Sequence, residues 1–130
     1  MEDCKIKVKC KKFLSPFGDG EELEICSFLT KGKVYILLGM SFCHHRLFFI
    51  EDDEGQMIGV DIRQFDILSD YLPSRWMVEN KAAQNYLSFF PKSWVAAENF
   101  WDRLQDDNDP EMVELYRMER DLIYQEEPEP

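Results

Sequence analysis

The sequence predicts an α+β chain, mainly β. A small barrel is expected over residues 1–72, an aromatic-rich, partly helical extension packed on it over 73–124, and a disordered acidic tail over 125–130. Three observations carry this reading. CKIKVKCK, residues 4–11, alternates strictly between apolar residues and lysine. Residues 29–62 hold two dense apolar runs, VYILL and LFFI, followed by the alternating MIGVDI. Near the C-terminus, Asp109-Pro110-Glu111 spells a helix start.

Alternation of period two marks a half-buried strand, with Cys4, Ile6, Val8 and Cys10 on one face and lysines on the other. Lysines facing water also discourage edge pairing with other chains. FLSPFGDGEELE carries Pro16, Gly18 and Gly20, so an irregular connection of about a dozen residues follows. Thr30-Lys31-Gly32-Lys33 reads as a turn opening into the strand Val34–Leu38, which Gly39 is expected to end. SFCHH then connects to Arg46–Ile50, and Glu51–Gly55 supplies the acids and the glycine of a tight turn. Ile58, Val60 and Ile62 point one way as a further strand, and RQFDIL opens as a helical turn and ends extended.

Four or five short strands in about 70 residues have the spacing of an all-β barrel or sandwich. A long loop after the first strand, short hairpins and a closing helical turn outline an SH3-like small barrel. With L-T-K-G-K-V-Y at residues 29–35 followed by an acidic turn, the stretch Cys4–Leu68 resembles small bacterial SH3-like proteins, some of them associated with toxin–immunity systems. The resemblance implies a barrel and carries over no functional residue.

VYILL and LFFI are apolar at consecutive positions, as in strands covered on both faces. A barrel interior covers one face, so the other needs a lid from downstream. Between Trp76 and Trp101 stand seven aromatic residues, interrupted by Pro91. Residues 76–90 fit an extended pair around a turn at Asn80–Gln84. From Ser93 as cap, a helix is expected with Ala97, Phe100, Trp101 and Leu104 as its stripe. A second helix has Asp109 as N-cap and Pro110 at its first position. Met112, Leu115, Tyr116, Leu122 and Ile123 form its apolar stripe, broken by Glu119.

The formal charge is −11, unevenly distributed. Residues 1–12 carry five lysines against Glu2 and Asp3, a net of +3; residues 96–130 carry 12 acids against three arginines, a net of −9. That balance argues against nucleic acid and anionic membranes as partners and favours a basic protein. The longest charge-free stretch of the β region, VYILLGMSFC, is ten residues, too short to span a bilayer. Four cysteines without a C-x-x-C, in a chain lacking the apolar core of a signal peptide, read as reduced thiols in a cytoplasmic protein.

No motif specifies catalysis, and no cofactor or metal is expected. Of Cys43-His44-His45 only Cys43 and His45 share a strand face, and further ligands would have to come from distant cysteines. A Cys/His nucleophile pair lacks an orienting third group. Glu51-Asp52-Asp53-Glu54 does not fit a calcium loop, because Gly55 in sixth place would require an acid where Ile50 stands. Gly18-Asp19-Gly20 lacks the lysine and helix of a phosphate loop. The lysine stripe has no interleaved aromatics for nucleic acid. The sequence therefore favours a non-enzymatic protein-binding module acting on a basic partner, in its most specific version an immunity protein that blocks a toxin. The partner-binding candidates are Asp102, Asp106, Asp107, Trp94 and Trp101. The rival expectation is an enzyme or small-ligand binder with its site between barrel and C-terminal helices.

Overall fold

The computed structural model describes residues 6–15, 21–43, 45–69 and 75–125. Cys4, the Gly18-Asp19-Gly20 turn, His44 and the tail from residue 126 lie outside them. The chain is α+β and mainly strand. Its strands are β1 (Lys7–Cys10), β2 (Phe13–Leu14), β3 (Glu22–Leu23), β4 (Val34–Ile36), β5 (Gly39–Phe42), β6 (Arg46–Glu51), β7 (Met57–Asp61), β8 (Phe65–Ile67), β9 (Trp76–Lys81) and β10 (Tyr86–Pro91). Two helices follow, α1 (Lys92–Ala96) and α2 (Pro110–Gln125).

The strands form open antiparallel sheets: three strands in the order β4-β1-β8, five in the order β7-β6-β5-β10-β9, and the short β2-β3 ladder. Among the described residues no ladder closes these sheets into a continuous barrel. The alternation of the first strand places Ile6, Val8 and Cys10 in the interior and Lys9 in solvent. The two larger sheets are joined by one continuous segment. Leu37 N–H donates to the Ile6 carbonyl at 2.8 Å, and the next residue, Leu38, donates to the Phe49 carbonyl at 2.8 Å. The chain thus leaves β1 for β6 within a single peptide step.

That crossing explains the unbroken apolar run. Successive strand residues point to opposite faces, so Leu37 enters the core between the sheets with Val8, Phe48, Ile50 and Phe65. Leu38 enters a second core, with Phe90, Trp94, Phe100, Met112, Tyr116 and Ile123 under the helices. Both leucines are 0% exposed. The five-stranded sheet is therefore the middle of three layers, covered by the smaller sheet on one side and by helices on the other.

Several sequence expectations need correction. Gly39 does not end a strand; it begins β5, and a Cβ there would stand 2.2 Å from Cδ1 of Phe90. The glycine admits a ring, not a turn. Strands on both sides of residue 72 share one sheet, because β10 pairs with β5 at Leu87–Phe42, Ser88–Ser41 and Phe89–Met40. The continuous helix expected from Ser93 is broken. Pro91, not Ser93, precedes α1; Ala97 is extended, and Asn99 takes a positive φ of 56°. Ser93 instead donates its hydroxyl to Glu119 at 2.8 Å.

The helix α2 begins as the sequence indicates, with the Asp109 carboxylate accepting from Glu111 N–H at 3.0 Å. Its buried positions are Met112, Tyr116, Glu119 and Ile123. Glu119 belongs to the stripe rather than breaking it, because Arg75 grips its two oxygens at 2.6 and 2.8 Å. A buried carboxylate so paired is held below the ordinary range, first by Arg75 and then by Ser93, against the cost of burial.

A cleft between the β9–β10 hairpin and the aromatic turn

The hairpin is closed by a 3-10 turn, Ala82–Gln84, and by Asn85 in the left-handed conformation at φ 53°, which asparagine tolerates. Its register pairs Lys81 with Tyr86, Glu79 with Ser88 and Met77 with Phe90. The twofold strand repeat then puts Glu79, Lys81, Tyr86 and Phe90 on the helix-facing side. Beyond α1, the turn at Asn99 sends the chain back over this face as a helical segment. Residues Asp102–Asp106 of it adopt π-helical geometry, a local irregularity frequent at functional sites.

Between hairpin and turn lies a cleft of about 310 Å³, lined by Glu79, Lys81, Tyr86, Phe90, Trp94, Val95, Ala97, Asn99, Phe100, Trp101 and Asp102. Its floor is a packed aromatic cluster. Trp94 is sandwiched, with Phe100 stacked at 5.2 Å and Tyr116 at 5.3 Å between ring centroids. Trp101 meets Phe90 edge-on at 5.1 Å and Phe49 at 5.7 Å. The rings anchor the turn on the sheet, and each aromatic pair contributes roughly 0.5–1.5 kcal/mol beyond its buried area. Trp94 is 2% exposed, whereas Trp101 is half-buried and Asp102 is exposed.

The charge on this surface is left largely uncompensated. Arg103, the arginine within the acidic turn, is bound to Asp109 at 2.8 Å and lies 3.6 Å from Glu111. Its hydrogen bond holds the Asp109 carboxyl below the ordinary range. Asp102, Asp106 and Asp107 are exposed and carry no ion pair among the described residues. The cation of the cleft is Lys81. Its Nζ lies 5.6 Å above the Tyr86 ring and 3.9 Å from Oε2 of Glu79.

Of the five residues singled out from sequence, Trp94, Trp101 and Asp102 line the cleft together. Asp106 and Asp107 stand outside it, on the solvent side of the same turn. Sequence reasoning missed Glu79, Lys81, Tyr86, Phe90 and Phe100. The hairpin register that gathers the first four depends on one left-handed asparagine, and a lone Asn-Tyr pair gives no turn signature.

The other chemistry-bearing residues are employed structurally. In the acidic turn, Glu51 binds α2 and Asp52 accepts from the N–H groups of Glu54 and Gln56, both at 2.9 Å. Asp53 accepts from Lys33 at 2.7 Å, Thr30 at 2.6 Å and Tyr35 at 2.8 Å, which holds its carboxyl down at about 2. The acidic turn is thus tied on three sides. Cys10, Cys26 and Cys43 are free thiols, and burial pushes the Cys10 thiol up, away from the reactive thiolate. Cys43 and His45 are both exposed, and among the described residues no group of three or more His, Cys, Asp and Glu could hold a metal ion. No described helix is long and apolar enough to cross a membrane. Comparison with family models, curated proteins and solved structures finds no match to this chain.

Proposed function

We propose that this chain is a non-enzymatic protein-binding module of the cytoplasm, a variation on the SH3-like small-barrel plan, that takes a basic partner on its acidic C-terminal surface. Its most specific version is an immunity protein that neutralises a basic toxin. The carrying observation is the convergence of Trp101 and Asp102 on one aromatic-floored cleft, beside Asp106 and Asp107, with the neighbouring Arg103 committed to Asp109. Aromatic anchors within a rim of one charge suit protein recognition. Opposite potentials raise the encounter rate and favour the right register.

The test is an equilibrium titration followed by tryptophan fluorescence, with an amphipathic peptide of arginine and leucine and its glutamate-for-arginine counterpart. Binding of the basic peptide alone, weakened by added salt, supports the reading. Equal binding of both peptides, or of neither, contradicts it.

A second reading, a small-ligand site between sheet and helices, is favoured by the cleft volume, which lies at the small end of the roughly 300–1,000 Å³ of ligand pockets. Its ionisable lining is Glu79, Lys81, Tyr86 and Asp102, with no cysteine, histidine or serine among the lining residues.

A further inference from the structure

The cleft holds its own cation, and holds it loosely. Lys81 Nζ is 3.9 Å from Glu79, at the outer limit of an ion pair, and its side chain remains 53% exposed. An ammonium in that setting gains little, because an exposed ion pair is weak and an exposed cation–π contact adds only modestly. The groups that hold it, a carboxylate and an aromatic face, are those that recognise a guanidinium better than an ammonium. Guanidinium is planar, more weakly hydrated and able to stack while it forms a two-pronged bond to a carboxylate. Asp102 brings a second carboxylate to the lining.

Size restricts the occupant further. A helix with its side chains is about 10–12 Å across, so one turn of it overfills a volume of about 310 Å³. A single long side chain does not. The acidic rim and the net charge of −9 over residues 96–130 select a cationic one.

We propose that Lys81 is a resident stand-in for an arginine of the partner. The partner's guanidinium displaces the Lys81 ammonium from Glu79 and the Tyr86 ring and inserts between Glu79 and Asp102. The proposal rests on the basic-partner reading above and adds the residue that the cleft selects. It also assigns Lys81 the role of a competitor, whose release to solvent accompanies binding.

The test uses the full chain, isotope-labelled, with glycine–serine peptides that carry a single arginine, lysine or citrulline. Chemical shifts of the Glu79–Tyr86 backbone and of the Trp101 indole N–H report on the cleft. The expected order is arginine above lysine, with uncharged citrulline ineffective. Lys81→Met should tighten arginine-peptide binding by roughly two- to fivefold, the equivalent of one exposed cation–π contact. Lys81→Gln is the second variant, and at this exposed position each should leave the spectrum of the folded chain otherwise unchanged. Citrulline binding as well as arginine, or Lys81→Met binding arginine no better or worse, overturns the proposal. Arginine-rich peptides that bind but shift only Asp106 and Asp107 overturn this inference and leave the basic-partner reading standing. If no basic peptide binds, both fall.

Discussion

The Tyr116 hydroxyl donates to Oε2 of Glu51 at 2.5 Å, joining α2 to the end of β6 across 65 residues of sequence. Arg120 and Tyr124 reach the same carboxylate at 3.1 and 2.8 Å, so one acid receives three successive turns of the helix. Burial, then the bond to Glu51, pushes both phenols up, and they remain protonated donors at neutral pH. The Glu51 side chain is 12% exposed.

Replacing Glu51 therefore removes the acceptor of the buried Tyr116 hydroxyl, and with it one bond each from the half-buried Tyr124 hydroxyl and from Arg120, which keeps its pairing with Asp121. Glu51→Ala should destabilise the chain by about 2–4 kcal/mol in urea unfolding. Glu51→Gln, which keeps one acceptor oxygen, should cost less. A Glu51→Ala midpoint equal to that of the native chain would show that the helix is held by its apolar face alone.

Gly39 gives a sharper steric prediction. A methyl group at 2.2 Å from the Phe90 ring cannot be accommodated without moving a ring packed against Phe49 and Trp101. Gly39→Ala should cost ~1–3 kcal/mol, the usual range for overpacking. The double variant Gly39→Ala with Phe90→Leu should recover part of that loss. A neutral Gly39→Ala would mean that β5 and β10 are spaced more widely than described.

Acid should expose the role of Asp53. Its folded value lies near 2, below the ordinary 3.8, because it accepts from Lys33, Thr30 and Tyr35. A depressed carboxylate contributes stability that is complete above the ordinary value and is lost as pH falls through the folded one. Stability should thus decline between about pH 4 and pH 2, and Asp53→Asn should flatten the decline in that window. Glu119, held low by Arg75, adds to the same limb. An unchanged slope in Asp53→Asn would remove this turn from the acid response.

Much of the architecture was legible in the sequence, for local reasons. The 6–10 alternation and the Asp109-Pro110 cap announce their elements within a few residues. The double coverage of Leu37-Leu38 and of LFFI also followed from consecutive apolar residues, whereas Val34 at the start of VYILL is 44% exposed. The sequence pointed downstream for the cover; what it did not show is that β10 joins the same sheet, because its pairing with β5 links residues 45 apart in the Leu87–Phe42 step and leaves no local trace. Glu119 looked like a break because its partner Arg75 lies 44 residues away. Within the site, Trp101 and Asp102 were visible as an aromatic–acid pair, whereas Glu79 and Lys81 required the hairpin register.

Truncation tests the coverage argument. A fragment ending at Leu72 lacks β9, β10 and both helices, and so leaves Leu38 and Phe49 without their second core. Each large apolar side chain contributes ~1.5–3 kcal/mol when buried, against a typical net stability of about 5–15 kcal/mol. The 1–72 fragment should be insoluble or fail to melt cooperatively. A soluble fragment melting near the full chain would contradict it.

The basic-partner reading is tested most directly by association kinetics. The arginine–leucine peptide should bind the native chain with an on-rate that falls steeply with ionic strength. The Asp102→Asn, Asp106→Asn, Asp107→Asn variant leaves the helix cap Asp109 intact; its on-rate should be lower at low salt and its salt dependence flatter. An on-rate at low salt identical to that of the native chain, with the variant folded, would contradict recognition through this acidic surface.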